Sequence, residues 1–292
     1  MSRSLSFAVL MFVCCAATDL RAAEPYVSTG FLPLPADIEI GPMSAVAVDG
    51  PDRVYVLHRG EPPLLVLDGQ HKLIAGWGKG EFKTPHGLRV DAKGNVWVTD
   101  NARHVVYRMS REGQVTLTLG TLDKGGAGPT QLRSPDDLVF DSKGLIYVAD
   151  AGNKRIAKFD ADGKYLADWG KGGKEPGQFS TAHGLAIDSK DRIYVADRGN
   201  RRVQVFNTEG QFQAAWTEAG NPFGLLVTGE GLIVADGDAH RLTLLDFDGK
   251  SLGAWGSPET LKLPHLMAIS SSGTVYVTEV DGKRIQLFRR AK

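Results

Sequence analysis

Short apolar runs alternate with polar turns along most of this chain. Large apolar residues recur at every second position within a run, as at Ile146 and Val148 or Ile193 and Val195. That is the period of a β-strand, and no segment sustains a helical one. The pattern also repeats at a longer interval. PHGLRVDAKGNVWVTDNARHVVYRMSREG from Pro85, PDDLVFDSKGLIYVADAGNKRIAKFDADG from Pro135 and AHGLAIDSKDRIYVADRGNRRVQVFNTEG from Ala182 are variants of one unit. Each reads as strand, Asp-containing turn, strand ending in a polar residue, loop, strand and second turn. A fourth strand follows, often ending in Trp-Gly, as at Trp77, Trp169 and Trp255. Weaker copies begin near Met43, Pro222 and Pro264. A repeat of roughly 40 to 50 residues is the signature of an array of identical supersecondary units.

Six units of four strands predict an all-β fold, a six-bladed β-propeller. The last unit runs out of chain after three strands, LMAISS, TVYVTEV and RIQLFRR. The segment from Glu24 to Gly41 is extended in character and is expected to supply the missing outer strand of the last blade. Closure of that kind protects an otherwise open edge. The tryptophans are expected between blades, and the repeated aspartates (Asp91, Asp141, Asp188; Asp100, Asp150, Asp197) on turn amides.

The first 23 residues read differently. Arg3 precedes an apolar run from Leu5 to Thr18, and small residues follow at Ala16-Ala17 and Ala22-Ala23. This is a signal peptide rather than an ordinary membrane span, with an N-terminal anchor as the alternative. Residues 1–23 are therefore assigned to the signal and 24–292 to the propeller. Both cysteines, Cys14 and Cys15, lie in the signal. The mature chain then has no disulfide, no cysteine–zinc site and no thiolate nucleophile. The 34 basic and 34 acidic residues balance, which gives no argument for nucleic acid or an anionic membrane surface as partner, and none is expected. The expectation is an exported monomer, periplasmic or secreted, with no membrane span once the signal is removed.

Register places residues of different units at equivalent points around one axis. Five residues before Asp91, Asp141 and Asp188 stand His86, Asp136 and His183; the equivalents elsewhere are Ser44, Phe223 and His265. This position opens the innermost strand. Three of seven histidines thus share it, in blades two, four and six, about 120° apart around a six-fold ring. Three imidazoles aimed at one axis describe a three-His metal site with open positions. The position after the second strand holds Arg59, Asn101, Ala151, Arg198, Gly237 and Val280. Arg59 and Arg198, in opposite blades, are expected to rim the same mouth and suit a carboxylate or another anion. Asp136 points to the same channel and could act as acid or base, or as a fourth ligand. His58, His71, His104 and His240 are expected to share no register position.

The loops DAGNKRI and DRGNRRV and the Trp-Gly blade ends resemble NHL repeats. More narrowly, VLHRG (Val56–Gly60), TPHGLRVD (Thr84–Asp91), WVTD (Trp97–Asp100), PGQFSTAHGLAID (Pro176–Asp188), VADRGNRRVQVF (Val195–Phe206) and LPHL (Leu263–Leu266) resemble the peptidyl-α-hydroxyglycine α-amidating lyases, or peptidylamidoglycolate lyases. The resemblance implies a zinc on His86, His183 and His265 and active-site arginines at Arg59 and Arg198. It also implies a structural calcium at the Val46 and Leu88 carbonyls. Three departures stand out. The family's catalytic Tyr falls in the loop holding Ala151 and Gly152, its Met before the third histidine is Leu263, and its calcium-binding Asp is Leu266.

Two readings follow. One is an exported zinc enzyme cleaving a carbon–nitrogen bond in α-hydroxyglycine-type compounds, with Asp136, Arg59 and Arg198 as its working residues. The other is a non-catalytic propeller serving as a binding scaffold. Either takes a small anionic or peptide-like ligand at the mouth, and the second a protein partner as well.

Overall fold

The computed structural model describes residues 24–50 and 53–292. The expected signal segment, 1–23, lies outside the described residues. Six four-stranded antiparallel sheets form the blades of a propeller. Their innermost strands are Met43–Asp49, Pro85–Val90, Pro135–Phe140, Ala182–Ile187, Pro222–Val227 and Pro264–Ile269. These begin where the six sequence units begin. Among the described residues the helical elements are two three-residue 3-10 turns, Ala151–Asn153 and Arg198–Asn200.

The ring closes as expected. Tyr26–Phe31 pairs antiparallel with Arg284–Arg290 and becomes the outer strand of blade six. Without it that strand would show a row of free N–H and C=O groups. Tyr26 is buried and stacks on Trp255 of blade five, with ring centroids 5.2 Å apart.

Six apolar clusters fill the gaps between successive blades. Tyr55 and Leu57 of blade one meet Leu88 and Tyr107 of blade two in one of them. Tyr147 and Ile156 meet Leu185 and Val195 in another. Each sheet is therefore covered on both faces, so second strands such as IYVAD are buried at every residue. The period-2 pattern separates large aliphatics from aromatic and small residues, not inside from outside. The outermost tryptophans span the same gaps. Gly210 turns at φ 77° in blade four, and a Cβ there would lie 2.6 Å from the Trp169 ring of blade three.

The repeated aspartates behave as expected. Asp91, Asp141 and Asp188 each accept two turn amides at 2.9 Å. Asp100 takes four loop amides, from Lys83, Thr84, Ala102 and Arg103.

Replacing Tyr26 with Ala is expected to destabilise the propeller by about 3 kcal/mol, as for other buried aromatics, measured by urea unfolding. A cost below about 1 kcal/mol would show that the N-terminal strand does not secure the ring.

Candidate metal centre at the channel mouth

Every innermost strand breaks register with its neighbour over its first few residues. The shift falls between Pro85 and Leu88, between Ala182 and Leu185, and between Pro264 and Met267 in the three histidine blades. Irregularities of this kind re-aim side chains. Here they turn the second residue of each strand toward the axis. His86, His183 and His265 meet there, with ring centroids 4.8 to 5.0 Å apart and rings nearly perpendicular. One ring nitrogen from each lies within 4.8 Å of the others. Sequence register alone had selected these three.

The remaining second-position residues, Ser44, Asp136 and Phe223, alternate with the histidines and orient them. The Nδ1 of His86 bonds the Asp136 carbonyl at 2.8 Å, that of His183 the Phe223 carbonyl at 2.7 Å, and that of His265 the Ser44 carbonyl at 2.6 Å. A carbonyl only accepts, so each Nδ1 carries the proton and each Nε2 keeps its lone pair. The close approach needs a glycine next door. A Cβ on Gly184 would lie 2.5 Å from the Phe223 carbonyl oxygen.

Burial also keeps the imidazoles neutral. It lowers the His86 pKa to about 4, helped by the positive charges of Arg59 and Arg198. Burial puts His183 and His265 well below the usual range, and the neighbouring histidine charges act in the same direction. Three neutral, pre-oriented imidazoles with unshared Nε2 pairs are the donor set of a borderline-soft divalent metal. They fit zinc.

Asp136, whose carbonyl holds His86, is 9% exposed, and its carboxyl does not join the three histidines as a fourth member of the metal-ligand group. Asn101 bonds its Oδ1 at 2.7 Å and the Pro135 carbonyl at 2.9 Å through one amide nitrogen. Burial pushes the Asp136 carboxyl up to about 7, against the opposing effects of that bond and the two arginines. Arg59 is exposed and Arg198 half-buried at the rim. Neither forms an ion pair among the described residues. The Arg198 guanidinium lies 4.7 Å from the centroid of the Phe223 ring, which also packs on His183 and His265. Phe223 and Asn101 are site residues that register had placed but given no role.

Val46 and Leu88 lie deeper, each two residues past the histidine position. Leu266 is fully buried with Ala45 and Leu88 in an apolar cluster, so no carboxylate stands where the resemblance placed one. The other histidines require a correction. His104 and His240 share a register position with Lys154, Arg201 and Lys283, all at positive φ. Their Nδ1 atoms accept the Ser134 and Leu263 amides. His58 occupies the place of Asp100 and accepts the Gly41 and Gly60 amides. These are loop-holding residues. The repeat disguised His58 because His there does the work of Asp.

The NHL repeat model matches residues 82–106, 132–159 and 179–206. The chain is a six-bladed β-propeller that carries NHL repeats in those three segments. It is related to the amidating lyases. Mouse peptidyl-glycine alpha-amidating monooxygenase is 33% identical over 184 residues, 53% of this chain and 18% of the mouse protein. Peptidyl-alpha-hydroxyglycine alpha-amidating lyase 2 of Drosophila melanogaster is 31% identical over 43% of this chain and 38% of its own length. The propeller thus spans less than a fifth of the mouse protein and under half of the fly one. Among solved structures, a putative gluconolactonase superposes with a TM-score of 0.68 at 17% identity, covering 92% of this chain and 97% of its own. A streptogramin B lyase superposes at 0.66 and 14%, covering 91% and 98%. At those identities the likeness shows the fold alone.

Zinc titrated into the metal-free propeller is expected to bind one per chain. His183→Ala should weaken it by more than the roughly 10- to 100-fold typical of losing a residue that only orients a ligand, measured by competition with a chromophoric chelator. A wild-type protein that takes up no zinc would remove the metal centre.

Proposed function

We propose that this propeller is an exported, zinc-dependent carbon–nitrogen lyase acting on α-hydroxyglycine-type compounds. The observation that carries the reading is the convergence of three neutral histidines beneath two arginines that form no ion pair among the described residues, with the buried Asp136 on a neighbouring inner strand. The kinship with amidating lyases supplies the reaction class. Export rests on the apolar segment from Leu5 to Thr18.

His86, His183 and His265 hold the metal. When bound, zinc supplies Lewis acidity toward the substrate hydroxyl and lowers its pKa. Arg59 and Arg198 bind the substrate carboxylate and orient the carbinol carbon over the histidines. Phe223 keeps Arg198 in place and bars water from one side. Asp136, held by Asn101, accepts the hydroxyl proton. The O–H electrons form the aldehyde C=O as the C–N bond breaks. The departing nitrogen takes the proton back from Asp136, giving an amide and glyoxylate, so protons balance with no added reactant. Asp136 thereby takes the part of the Tyr that the loop at Ala151 and Gly152 lacks.

The test is glyoxylate release from an N-acyl-α-hydroxyglycine by the zinc-loaded protein. Asp136→Asn is expected to lower kcat by about 10²-fold or more with metal content unchanged, and Arg198→Ala to raise KM. A zinc-loaded wild type that releases no glyoxylate would reduce the propeller to a binding scaffold. An Asp136→Asn protein with full kcat would leave the metal site but take the proton-transfer role from Asp136.

A further inference from the structure

Below the histidines lies a second ring of backbone carbonyls. The fourth residues of the innermost strands are Val46, Leu88, Leu138, Leu185, Leu225 and Met267, all buried. The resemblance implied a calcium at this level, on the Val46 and Leu88 carbonyls. A cation is already there. Arg89, the fifth residue of the blade-two strand, sends its side chain across the channel. Its Nε donates to the Leu138 carbonyl of blade three at 3.1 Å, and its Nη2 to the Leu185 carbonyl of blade four at 2.9 Å. Its Nη1 reaches the Met267 carbonyl of blade six at a longer 3.5 Å. The counter-charge is Asp137, fully buried, whose Oδ2 accepts Arg89 Nη2 at 2.5 Å and the Leu185 amide at 2.9 Å.

We propose that the Arg89 guanidinium is the resident cation of this propeller and that the ring it fills takes no calcium. Three arguments converge. The three carbonyls belong to the same strand position as the two that the resemblance assigned to calcium. The carboxylate that completes a cation site has changed place, with Leu266 apolar and Asp137 charged, and it is spent on Arg89. Finally, a planar fork of N–H donors can serve carbonyls from several blades at once, as a hard ion does with oxygen ligands. Because Leu185 and Met267 each lie two residues past a histidine, the same guanidinium ties the three histidine strands together.

The experiment is a calcium titration of the full chain, dialysed free of calcium and kept saturated with zinc, following Tm and bound calcium. The wild type is expected to bind none and to hold its Tm up to about 1 mM calcium, the range of weak extracellular sites. Arg89→Ala, which leaves Asp137 and the carbonyls facing a vacated ring, is expected to melt about 6 °C or more lower and to be partly restored by calcium. A wild type that binds calcium or is stabilised by it overturns the proposal. So does an Arg89→Ala protein that calcium leaves unchanged. The wild-type titration decides even if the variant does not fold, and neither measurement depends on lyase activity.

Discussion

The inner edge of each blade is the constraint from which the rest follows. A four-stranded sheet in a propeller pairs its first strand on one side only, and the other side faces the axis. Six strands therefore turn unpaired backbone groups toward one narrow channel, where water is scarce. A buried carbonyl left without a donor costs about 1–3 kcal/mol, and twelve of these carbonyls stand at the second and fourth strand positions alone. The protein meets the demand in layers. At the second position, three histidines donate Nδ1–H to the three intervening carbonyls. At the fourth, one guanidinium serves several blades.

The first layer shows how a structural need creates a chemical site. The Nδ1 bonds hold the rings edge to face and fix the tautomer, which leaves three Nε2 lone pairs with nowhere to go but the axis. Burial then forbids protonation. The metal-binding character of the centre is the residue of satisfying the channel edge, and a scaffold built from alternating His and non-His blades reaches it with three-fold regularity. Asp136 breaks that regularity. It is the one carboxyl at the second position, with Ser44 and Phe223 in the equivalent blades, and this asymmetry distinguishes one flank of the mouth from the others.

Much of this was legible before any coordinates. Repeats expose register, and register placed His86, His183 and His265 on one axis, with Asp136, Arg59 and Arg198 around them. The closing strand was legible because a missing outer strand and an orphan extended segment are complementary. What register could not reveal were contacts that break the repeat. Arg89 sits where other units carry Ala, Val or Leu, and the carbonyls it serves are 49, 96 and 178 residues away. His58 looked incidental because its equivalents are acidic, although an Nδ1 lone pair and a carboxylate oxygen cap the same loop amides. Asn101 stood in the register of the rim, but its role depends on the side chain of the next blade.

The two layers also answer how one channel can be both plugged and open. Arg89 and Asp137 cancel each other's charge in the buried middle of the ring, so the histidine mouth is separated from the opposite mouth, lined by Val90, Phe140, Ile187 and Val227. A ligand entering over the histidines meets a closed floor rather than a passage. It also meets Arg59 and Arg198, neither of which forms an ion pair among the described residues, because Asp137 is engaged with Arg89 and Asp136 is held by Asn101.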